Sequence, residues 1–369
     1  MPSSRSGKTY TGARMAVELM RRGERVGVTA LSHKAIHKFL EEVAVAARER
    51  EFTFRGRKKC ADDPATRYED EFVDSSARND DLLDPELNLV AGTAWLFARR
   101  KMDQTLDTLF IDEGGQVSLA DAIAVGTAAR NLILLGDPNQ LAQVSQGSHP
   151  PGADASVLGH LLGDDETVRP EMGLFLEETW RLRPEICRFT SQTFYEGRLR
   201  PARAAYVRWL GAGHGIRFLP VEHRGHRQQS PEEAEAIAAE IETLVGTQLS
   251  QRGGTRPLGH EDVIVVAPYN AHVRCLRSML PDAVRVGTVD KFQGQEAAVV
   301  FYSMASSAAE EVPRGLDFLF SRNRLNVATS RAQCLAYLVA SPRLLDASCR
   351  TVEQIRLANA LCRLVELAD

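Results

Sequence analysis

The sequence predicts an α/β protein with parallel β-sheets, and three observations support that prediction. Short apolar runs alternate with amphipathic stretches of helical periodicity, which is typical of strands and helices in a parallel sheet. Several apolar runs are nearly continuous in Val, Ile and Leu, as expected for strands that helices cover on both faces. The 369 residues suffice for two domains, each with its own hydrophobic core.

The predicted elements follow from these runs. Strands are expected at residues 25–30, 87–93, 108–111, 131–135, 263–267, 284–289, 297–303 and 334–340, and helices at 11–22, 35–50, 231–245 and 271–280. Residues 51–86 are polar and charged, which predicts a small inserted subdomain or a surface loop. Weaker polar stretches lie at 214–231 and 248–260. We place the domain boundary between residues 163 and 173, so that the domains span 1–165 and 166–369.

Composition limits the classes of protein to consider. Hydrophobic residues make up 44% and charged residues 25% of the chain, which is a globular profile. No apolar run reaches the length of about 18 residues that a membrane helix needs, so we expect no membrane partner. The six cysteines are scattered without a C-x-x-C pair, which favours reduced thiols in the cytoplasm. A net charge of −4 does not exclude nucleic acid, because a local groove can bind it.

The first motif lies near the beginning of the chain, where Gly7, Lys8 and Thr9 precede a helical pattern. They match the second half of the phosphate-binding sequence G-x-x-x-x-G-K-[ST]. In such a loop, backbone N–H groups hold the phosphates of ATP, the Lys reaches the β- and γ-phosphates, and the Thr hydroxyl contacts Mg²⁺. A chance Gly-Lys-Thr is the alternative, since Pro2 replaces the first Gly of the pattern.

Two further buried strands are predicted to end in polar residues at the same edge of the sheet. Asp112 and Glu113 follow the strand at 108–111. The first carboxylate could hold Mg²⁺ and the second could polarise an attacking water. Gln140 follows the strand at 131–135, and its amide is suited to sensing a γ-phosphate. The alternatives are an acidic helix cap after the first strand and a plain turn after the second.

The second half of the chain carries three less common sequences. Trp180 stands beside Arg181, so that the ring could stack on a base and the cation could meet a phosphate. A core tryptophan beside a surface arginine is the alternative. The other two sequences are GTVDKFQGQE at 287–296 and RLNVATSRA at 324–332, of which the latter carries arginines suited to act as an arginine finger.

In this order, the motifs resemble those of the superfamily 1B helicases, in the group of the nonsense-mediated-decay RNA helicase. Within that group, the chain is most similar to the C-terminal helicase half of bacterial proteins with an N-terminal RecB-like nuclease. The resemblance implies two RecA-like P-loop NTPase domains, ATP and Mg²⁺ as cofactors, and 5′→3′ movement on single-stranded DNA, with RNA as the other possible strand. It also implies a possible nuclease domain in the parent chain.

The resemblance assigns a role to individual residues. Those that it implies for nucleotide binding and Mg²⁺ are Gly7, Lys8, Thr9, Asp112, Trp180, Gln293 and Glu296. Those that it implies for hydrolysis are Glu113, Gln140, Arg181 and Arg331, the last as arginine finger. Those that it implies for contact with nucleic acid are Ser32, Thr93 and Thr288. Three positions depart from the family: Gly114 replaces an Ala, Trp180 replaces a Tyr, and His33 replaces an Asn.

A further departure lies at the beginning of the sequence. The strand that normally precedes the phosphate loop, the upstream glutamine motif and the accessory barrel of the family are not found, and Pro2 and Arg5 stand where glycines would allow close approach of the backbone. We therefore expect an N-terminally truncated chain whose first domain lacks its initial strand. Such a loss should leave two unpaired neighbouring strands or a collapsed sheet. A divergent protein whose sheet is completed by a partner chain is the alternative.

Two functions remain open at this point. The first is an ATP-dependent helicase or translocase motor, in which ATP lies in the cleft between the domains and arginines of the second domain complete the site on closure. The second is a non-catalytic or partner-completed nucleic-acid-binding fragment of a nuclease-helicase. A P-loop scaffold without nucleic acid is disfavoured by the three nucleic-acid and arginine-finger segments at 29–33, 287–296 and 324–332.

Overall fold

The computed structural model describes residues 7–141, 155–163, 165–251, 253–292 and 294–368. They divide into two compact units: one contains the described residues up to 138 and from 155 to 172, and the other contains 139–141 and 173–368. Each unit contains a parallel sheet with helices packed on it. The predicted α/β class with parallel sheets is therefore confirmed. In the part that the structure describes, no helix is both long and apolar enough to cross a membrane.

The first unit is built on one six-stranded sheet. Its strands are β1 Val26–Thr29, β2 Gly56–Lys59, β3 Val73–Ser76, β4 Leu89–Ala91, β5 Leu106–Ile111 and β6 Ala129–Leu134. Their order is β3-β2-β4-β1-β5-β6, and every adjacent pair is parallel. The helices are α1 Gly7–Arg21, α2 His33–Glu49, α3 Ala94–Phe97, α4 Leu119–Gly126 and α5 Val157–Leu162.

Helices α1 and α2 cover one face of this sheet because their apolar residues recur at helical spacing. In α1 the buried stripe is Ala13, Ala16, Val17 and Met20, and it joins the buried stripe of α2 in one cluster with β1 and β4. Ser32 begins α2 as its N-cap, since its Oγ accepts a hydrogen bond from the N–H of Ala35. A second cluster packs α3 and α4 on the opposite face.

The expectation for residues 51–86 is wrong. They form neither a separate subdomain nor only a loop, because β2 and β3 extend the main sheet beyond β4. The sequence conceals this because β2 consists of Gly-Arg-Lys-Lys and β3 of Val-Asp-Ser-Ser. Their polar residues are held by charged and hydrogen-bonded partners: Arg57, for example, forms a bidentate pair with Asp74.

The sheet of the first unit is continuous across the described strands, so the expected gap with two unpaired neighbours is not found among them. Strand β6 lies at one edge and pairs only with β5 among these strands. Its apolar sequence predicted burial on both faces, yet Leu132 is 43% exposed and Ile133 and Leu134 are half-buried. Position in the sheet, which the local sequence does not encode, decides this difference.

The second unit contains a five-stranded parallel sheet of order β10-β16-β15-β13-β14. Its elements are β7 Glu178–Thr179, α6 Pro184–Phe194, β8 Arg200–Pro201, β9 Trp209–Leu210, β10 Gly215–Pro220, α7 Pro231–Leu244, β11 Gln248–Gln251, β12 Gly254–Pro257, β13 Val263–Ala267, α8 Asn270–Met279, β14 Arg285–Thr288, β15 Ala297–Ser303, α9 Leu316–Leu319, α10 Arg322–Thr329, β16 Ala332–Ala340 and α11 Val352–Glu366. Two clusters of buried side chains contain residues of these strands.

The two weaker polar stretches also contain strands. Strand β10 lies in the first of them and pairs in parallel with β16 at the edge of the sheet. Strands β11 and β12 lie in the second and form an antiparallel hairpin, to which β9 adds a third strand. The three polar segments therefore supply the edge strands β3 and β10, the internal strand β2 and the accessory hairpin of β11 and β12.

Candidate functional site

Two carboxylates lie at the carboxyl end of β5, where the chain leaves the first sheet. The N–H of Asp112 still donates to the carbonyl of Thr29 at 2.9 Å, which continues the pairing with β1. Glu113 then adopts a φ of 58°, a left-handed backbone conformation that residues other than glycine rarely adopt. Its N–H donates to Asp112 Oδ1 at 2.9 Å. Such local strain is often found at functional sites.

Burial raises the pKa of both carboxyl groups. For Asp112 loss of solvent is the main cause. For Glu113 loss of solvent comes first and repulsion from Asp112 second. Lys8 and Lys38 act in the opposite direction on each group because they favour the charged carboxylates. A carboxylate with a raised pKa, close to a second carboxylate and to two cations, is suited to accept a proton or to meet a metal ion.

Lys8 lies in the first turn of α1, and its Nζ is 3.9 Å from Oδ2 of Asp137. Thr9, the next residue, is buried. Gly7 and Lys8 are the first residues of α1 that the structure describes, and backbone N–H groups at a helix N-terminus are a common site for phosphate. The structure thus places Lys8 close enough to Asp112 and Glu113 to favour the charged form of both carboxyl groups.

The loop after β5 packs directly on the loop after β6 through glycines. The N–H of Gly114 donates to the carbonyl of Leu135 at 2.8 Å. A Cβ on Gly115 would lie 2.4 Å from the carbonyl oxygen of Asp137, and a Cβ on Gly136 would lie 2.7 Å from the nitrogen of Gly115. Only residues without a side chain allow this approach, so the loops that carry the candidate base and Asp137 are coupled through their backbones.

Sequence reasoning missed Lys38, which lies in the second turn of α2. It lowers the pKa of both Asp112 and Glu113 and is therefore part of the same electrostatic cluster. Its position is not part of any predicted motif. Helical spacing does not single it out, because Lys34 lies one turn earlier on the same face of α2, and only the structure shows that Lys38 is half-buried while Lys34 is exposed.

The residues present fit a magnesium ion bound together with a nucleotide. Asp112 is a buried carboxylate and Thr9 a buried hydroxyl, and hard oxygen ligands of this kind suit Mg²⁺. Among the described residues, no group of three or more His, Cys, Asp or Glu side chains could hold a metal by itself.

In the second unit, Arg181 and Glu296 form an ion pair with 2.7 Å between Nε and Oε2. The guanidinium also donates from Nη1 to the carbonyl of Ser330 at 3.2 Å. Both side chains of the pair retain some exposure, 16% and 20%, so their charges are accessible to a ligand. Trp180, beside them in sequence, is 38% exposed, which excludes the alternative of a core tryptophan.

The remaining predicted residues have diverse surroundings. Arg331 is buried, with 2% of its surface exposed. The carbonyl of Gln140 accepts from Nδ2 of Asn323 at 2.7 Å, and residues 139–141 belong to the second unit. Thr288 ends β14, and Gln293 lies outside the described residues. The roles of these residues remain predictions.

A buried hydrogen-bonded cluster, also missed from the sequence, lies at the carboxyl edge of the second sheet. Glu233 of α7 accepts hydrogen bonds from the N–H of Ala305 at 3.0 Å and from Ser303 Oγ, and its Oε1 is 2.9 Å from His223 Nε2. Nε2 of His272 is 2.6 Å from the same Ser303 hydroxyl. We call Glu233, His223, His272 and Ser303 the His–Glu cluster. The sequence Ser-Pro-Glu-Glu at 230–233 signals a helix start but not this network.

Comparison with known families gives a match over most of the chain. A family model described as an AAA domain matches residues 154–343, which is more than half of the chain, and a second model of the same description matches residues 6–151. The two matches meet near residues 151–154.

Several curated helicases are similar to this chain. The DNA polymerase alpha-associated DNA helicase A of Schizosaccharomyces pombe is 26% identical over 261 residues, which are 63% of this chain and 37% of that protein. Helicase sen1 of the same organism is 26% identical over 253 residues, or 63% and 14%. The regulator of nonsense transcripts 1 homolog of Drosophila melanogaster is 27% identical over 264 residues, or 64% and 21%. The matches span less than two fifths of each relative.

A solved structure supports the fold. The crystal structure of Arterivirus nonstructural protein 10, a helicase, matches with a TM-score of 0.52 at 15% sequence identity, over 91% of this chain and 57% of that chain. At this identity the likeness concerns the fold alone, and it confirms the expectation of two RecA-like domains with parallel sheets.

Proposed function

The chain belongs to the AAA-domain family of superfamily 1 helicases related to the regulator of nonsense transcripts, and on that premise we propose that it is an ATP-driven motor that moves along single-stranded nucleic acid. Members of this group hydrolyse ATP. The proposed reaction is transfer of the γ-phosphoryl group of ATP to water, coupled to stepwise movement along the strand.

One observation carries the proposal: two lysines, the buried carboxylate of Asp112 and the half-buried carboxylate of Glu113 lie together at the carboxyl edge of the first sheet. Lys8 lies at the N-terminus of α1 and affects Asp112 and Glu113, as does Lys38. In a cluster of this composition, the lysines can bind the phosphates of ATP and a carboxylate can accept a proton from the attacking water. A structural ion-pair network would leave unexplained why a buried and a half-buried carboxylate are adjacent and why one of them has a left-handed backbone.

In the proposed mechanism, Lys8 and the N–H groups at the start of α1 bind and orient the phosphates. Glu113 accepts the proton of the attacking water at a carboxylate oxygen, and its raised pKa favours that acceptance. Asp112 and Thr9 would hold Mg²⁺, which neutralises charge on the β- and γ-phosphates when it is bound. Asp137, 3.9 Å from Lys8, orients the lysine between substrate turnovers.

The second unit is proposed to complete hydrolysis. Trp180 has an exposed ring for the adenine, and Glu296 and Gln293 are assigned to the nucleoside. Arg181, already oriented by its pair with Glu296, and Arg331 are assigned to the charge that develops on the γ-phosphoryl group. Gln140 is assigned to sensing of the γ-phosphate. For Gln293, Gln140 and Arg331 the assignment rests on the resemblance alone.

The strand is proposed to be DNA, contacted through Ser32, Thr93 and Thr288 and followed in the 5′→3′ direction. Direction and strand type rest on the similarity to helicase halves of RecB-like nuclease-helicases, which also supports a nuclease as a partner. The free cysteines, three of them buried, support a reducing cytoplasmic environment.

The deciding experiment measures ATP hydrolysis by this chain with and without single-stranded DNA or RNA, for the wild type and Lys8→Ala. We expect hydrolysis that a single strand stimulates and that Lys8→Ala reduces by at least about a hundredfold, since electrostatic contacts of this type contribute factors of that order. Hydrolysis that survives Lys8→Ala would refute the site. Strand binding without any hydrolysis would favour the non-catalytic fragment. Unwinding of duplexes with a 5′ or a 3′ overhang tests direction.

A further inference from the structure

A pocket of about 440 Å³ opens at the carboxyl edge of the first sheet, beside the ends of β1, β2 and β4. Its lining includes His33 after β1, Lys59 at the end of β2 and Thr93 after β4, together with Trp95 and Arg99. Polar and cationic residues that follow or end three parallel strands thus line one pocket. This pocket lies at the carboxyl ends of the strands, where α/β sheets commonly bind ligands.

The charge of this pocket is of one sign. Lys59 and Arg99 line it, and no aspartate or glutamate is among its lining residues, although the chain as a whole carries a net charge of −4. A solvated surface would mix both signs, as acidic residues exceed basic ones overall. The lining therefore favours an anionic ligand.

His33 supplies a neutral hydrogen-bond donor to the lining. Its Nδ1 is 3.0 Å from Nζ of Lys58, a fully buried lysine. An ammonium group has donors and no acceptor, so Nδ1 must accept and Nε2 carries the proton of the ring. Lys58 in turn donates to the carbonyls of Lys59 and Thr66, which holds β2 and the ring in fixed positions.

Trp95 lies at this pocket with 87% of its surface exposed, the largest exposure among the large apolar side chains of the described residues. Single exposed apolar residues are common on protein surfaces. Trp95 differs from such isolated residues because it borders a cationic pocket and lies two residues after Thr93. Aromatic faces beside cations are a common means of binding unpaired bases.

We propose that this pocket holds one nucleotide of the single strand, with its base stacked on Trp95 and its phosphate between Lys59 and Arg99. The proposal rests on the proposed function and specifies the substrate contacts beyond Ser32 and Thr93. The volume of about 440 Å³ suits one nucleotide unit, and stacking accepts any base, as a motor that moves along a strand requires. His33 Nε2 donates to the phosphate or to the edge of the base.

The test measures binding of fluorescein-labelled oligo(dT) and oligo(U) to the full chain by fluorescence anisotropy, without ATP. Trp95→Ala should raise Kd about five- to hundredfold, the loss of one base–aromatic stack, while Trp95→Phe should retain most of the affinity. Lys59→Gln should weaken binding and reduce the slope of log K against log salt by about one. Trp209→Phe, an exposed tryptophan of the second unit, is the matched control.

A second readout uses tryptophan emission. Oligonucleotide should quench the wild type and Trp209→Phe, but Trp95→Phe should lose that quenching. An unchanged Kd in Trp95→Ala, quenching that persists in Trp95→Phe, or a wild type that binds no oligonucleotide would each overturn the proposal. Because these measurements need no ATP, loss of hydrolysis with intact Trp95-dependent binding would reject the motor and leave the pocket supported. The circular dichroism spectrum and the midpoint of thermal unfolding of Trp95→Ala, each compared with the wild type, show whether the variant is folded.

Discussion

The His–Glu cluster predicts that His272 is one of the groups through which acid destabilises the second unit. This ring is fully buried, and its Nδ1 accepts a hydrogen bond from the N–H of Ser230 at 3.3 Å. Burial lowers its pKa to about 4, although Glu233 acts in the opposite direction and His223 and His226 add repulsion. Protonation would remove the acceptor at Nδ1 and place a charge in the core.

The sign and the size of the effect follow from that pKa. An unfolded histidine takes up a proton below its usual pKa of about 6.5, whereas His272 in the folded unit remains neutral until about pH 4. The unfolded state therefore binds more protons between these values, and stability is lost as pH falls through this window. A difference of about 2.5 pKa units corresponds to about 3 kcal/mol at pH 4.

The assay is urea unfolding of the full chain from pH 7 to pH 4, followed by tryptophan emission in a Trp95→Phe background. Trp180 and Trp209 then report on the second unit. His272→Gln should cost about 1–2 kcal/mol at pH 7 through the lost hydrogen bonds, yet its deficit against the parent should vanish or reverse at pH 4.

The control for this experiment is His260→Gln, in which a partly exposed histidine of the same unit is replaced. Its stability difference from the parent should change by less than 1 kcal/mol over the same range, as expected for an exposed pair. If the deficit of His272→Gln stays constant between pH 7 and pH 4, the buried ring is not the acid-sensitive group and the reasoning fails.

Three further predictions concern the first unit. Glu113→Gln should reduce ATP hydrolysis about 10²- to 10⁴-fold, and the acid limb of the wild-type rate should lie above the usual pKa of Glu, since burial raises it. Gly115→Ala should lower the unfolding free energy by about 1–3 kcal/mol, because the new Cβ would lie 2.4 Å from a carbonyl oxygen; Gly253→Ala, with open space around it, should have little effect. Lys38→Met should move the acid limb of hydrolysis to higher pH, because the lysine lowers the pKa of Glu113; a matched change at the exposed Lys34 should not.

Strands whose burial comes from their own apolar residues could be predicted from the sequence. Residues 263–267 and 297–303 are strands with the predicted bounds, because every residue in them is buried. Strands β2, β3 and β10 could not be predicted in this way. They lie at edges or consist of charged residues whose partners, such as Asp74 for Arg57, are distant in sequence.

The same distinction applies to the candidate site. Asp112 and Glu113 could be identified because an apolar strand that ends in two acids is a local pattern. Lys38 could not, since its effect on them arises only when α2 packs against the sheet beside β5. Trp95 and Arg99 could not either, because they follow a predicted motif without belonging to it, and the pocket requires β2, which the sequence concealed.

Helix α2 joins the two sites of the first unit on the proposed assignments. Its first residue, His33, lines the pocket beside Trp95, and Lys38, five residues later, acts on the carboxylates after β5. The helix is held by its capped first turn at Ser32 and by a fully buried stripe that includes Ile36 and Phe39, so it moves as one body. A nucleotide whose binding shifts α2 as a whole, with His33 still held by Lys58, would therefore also change the distance from Lys38 to Glu113. Because that lysine stabilises the charged form of the base, we expect such a shift of α2 to link strand binding to hydrolysis through electrostatics, without any contact between the strand and ATP.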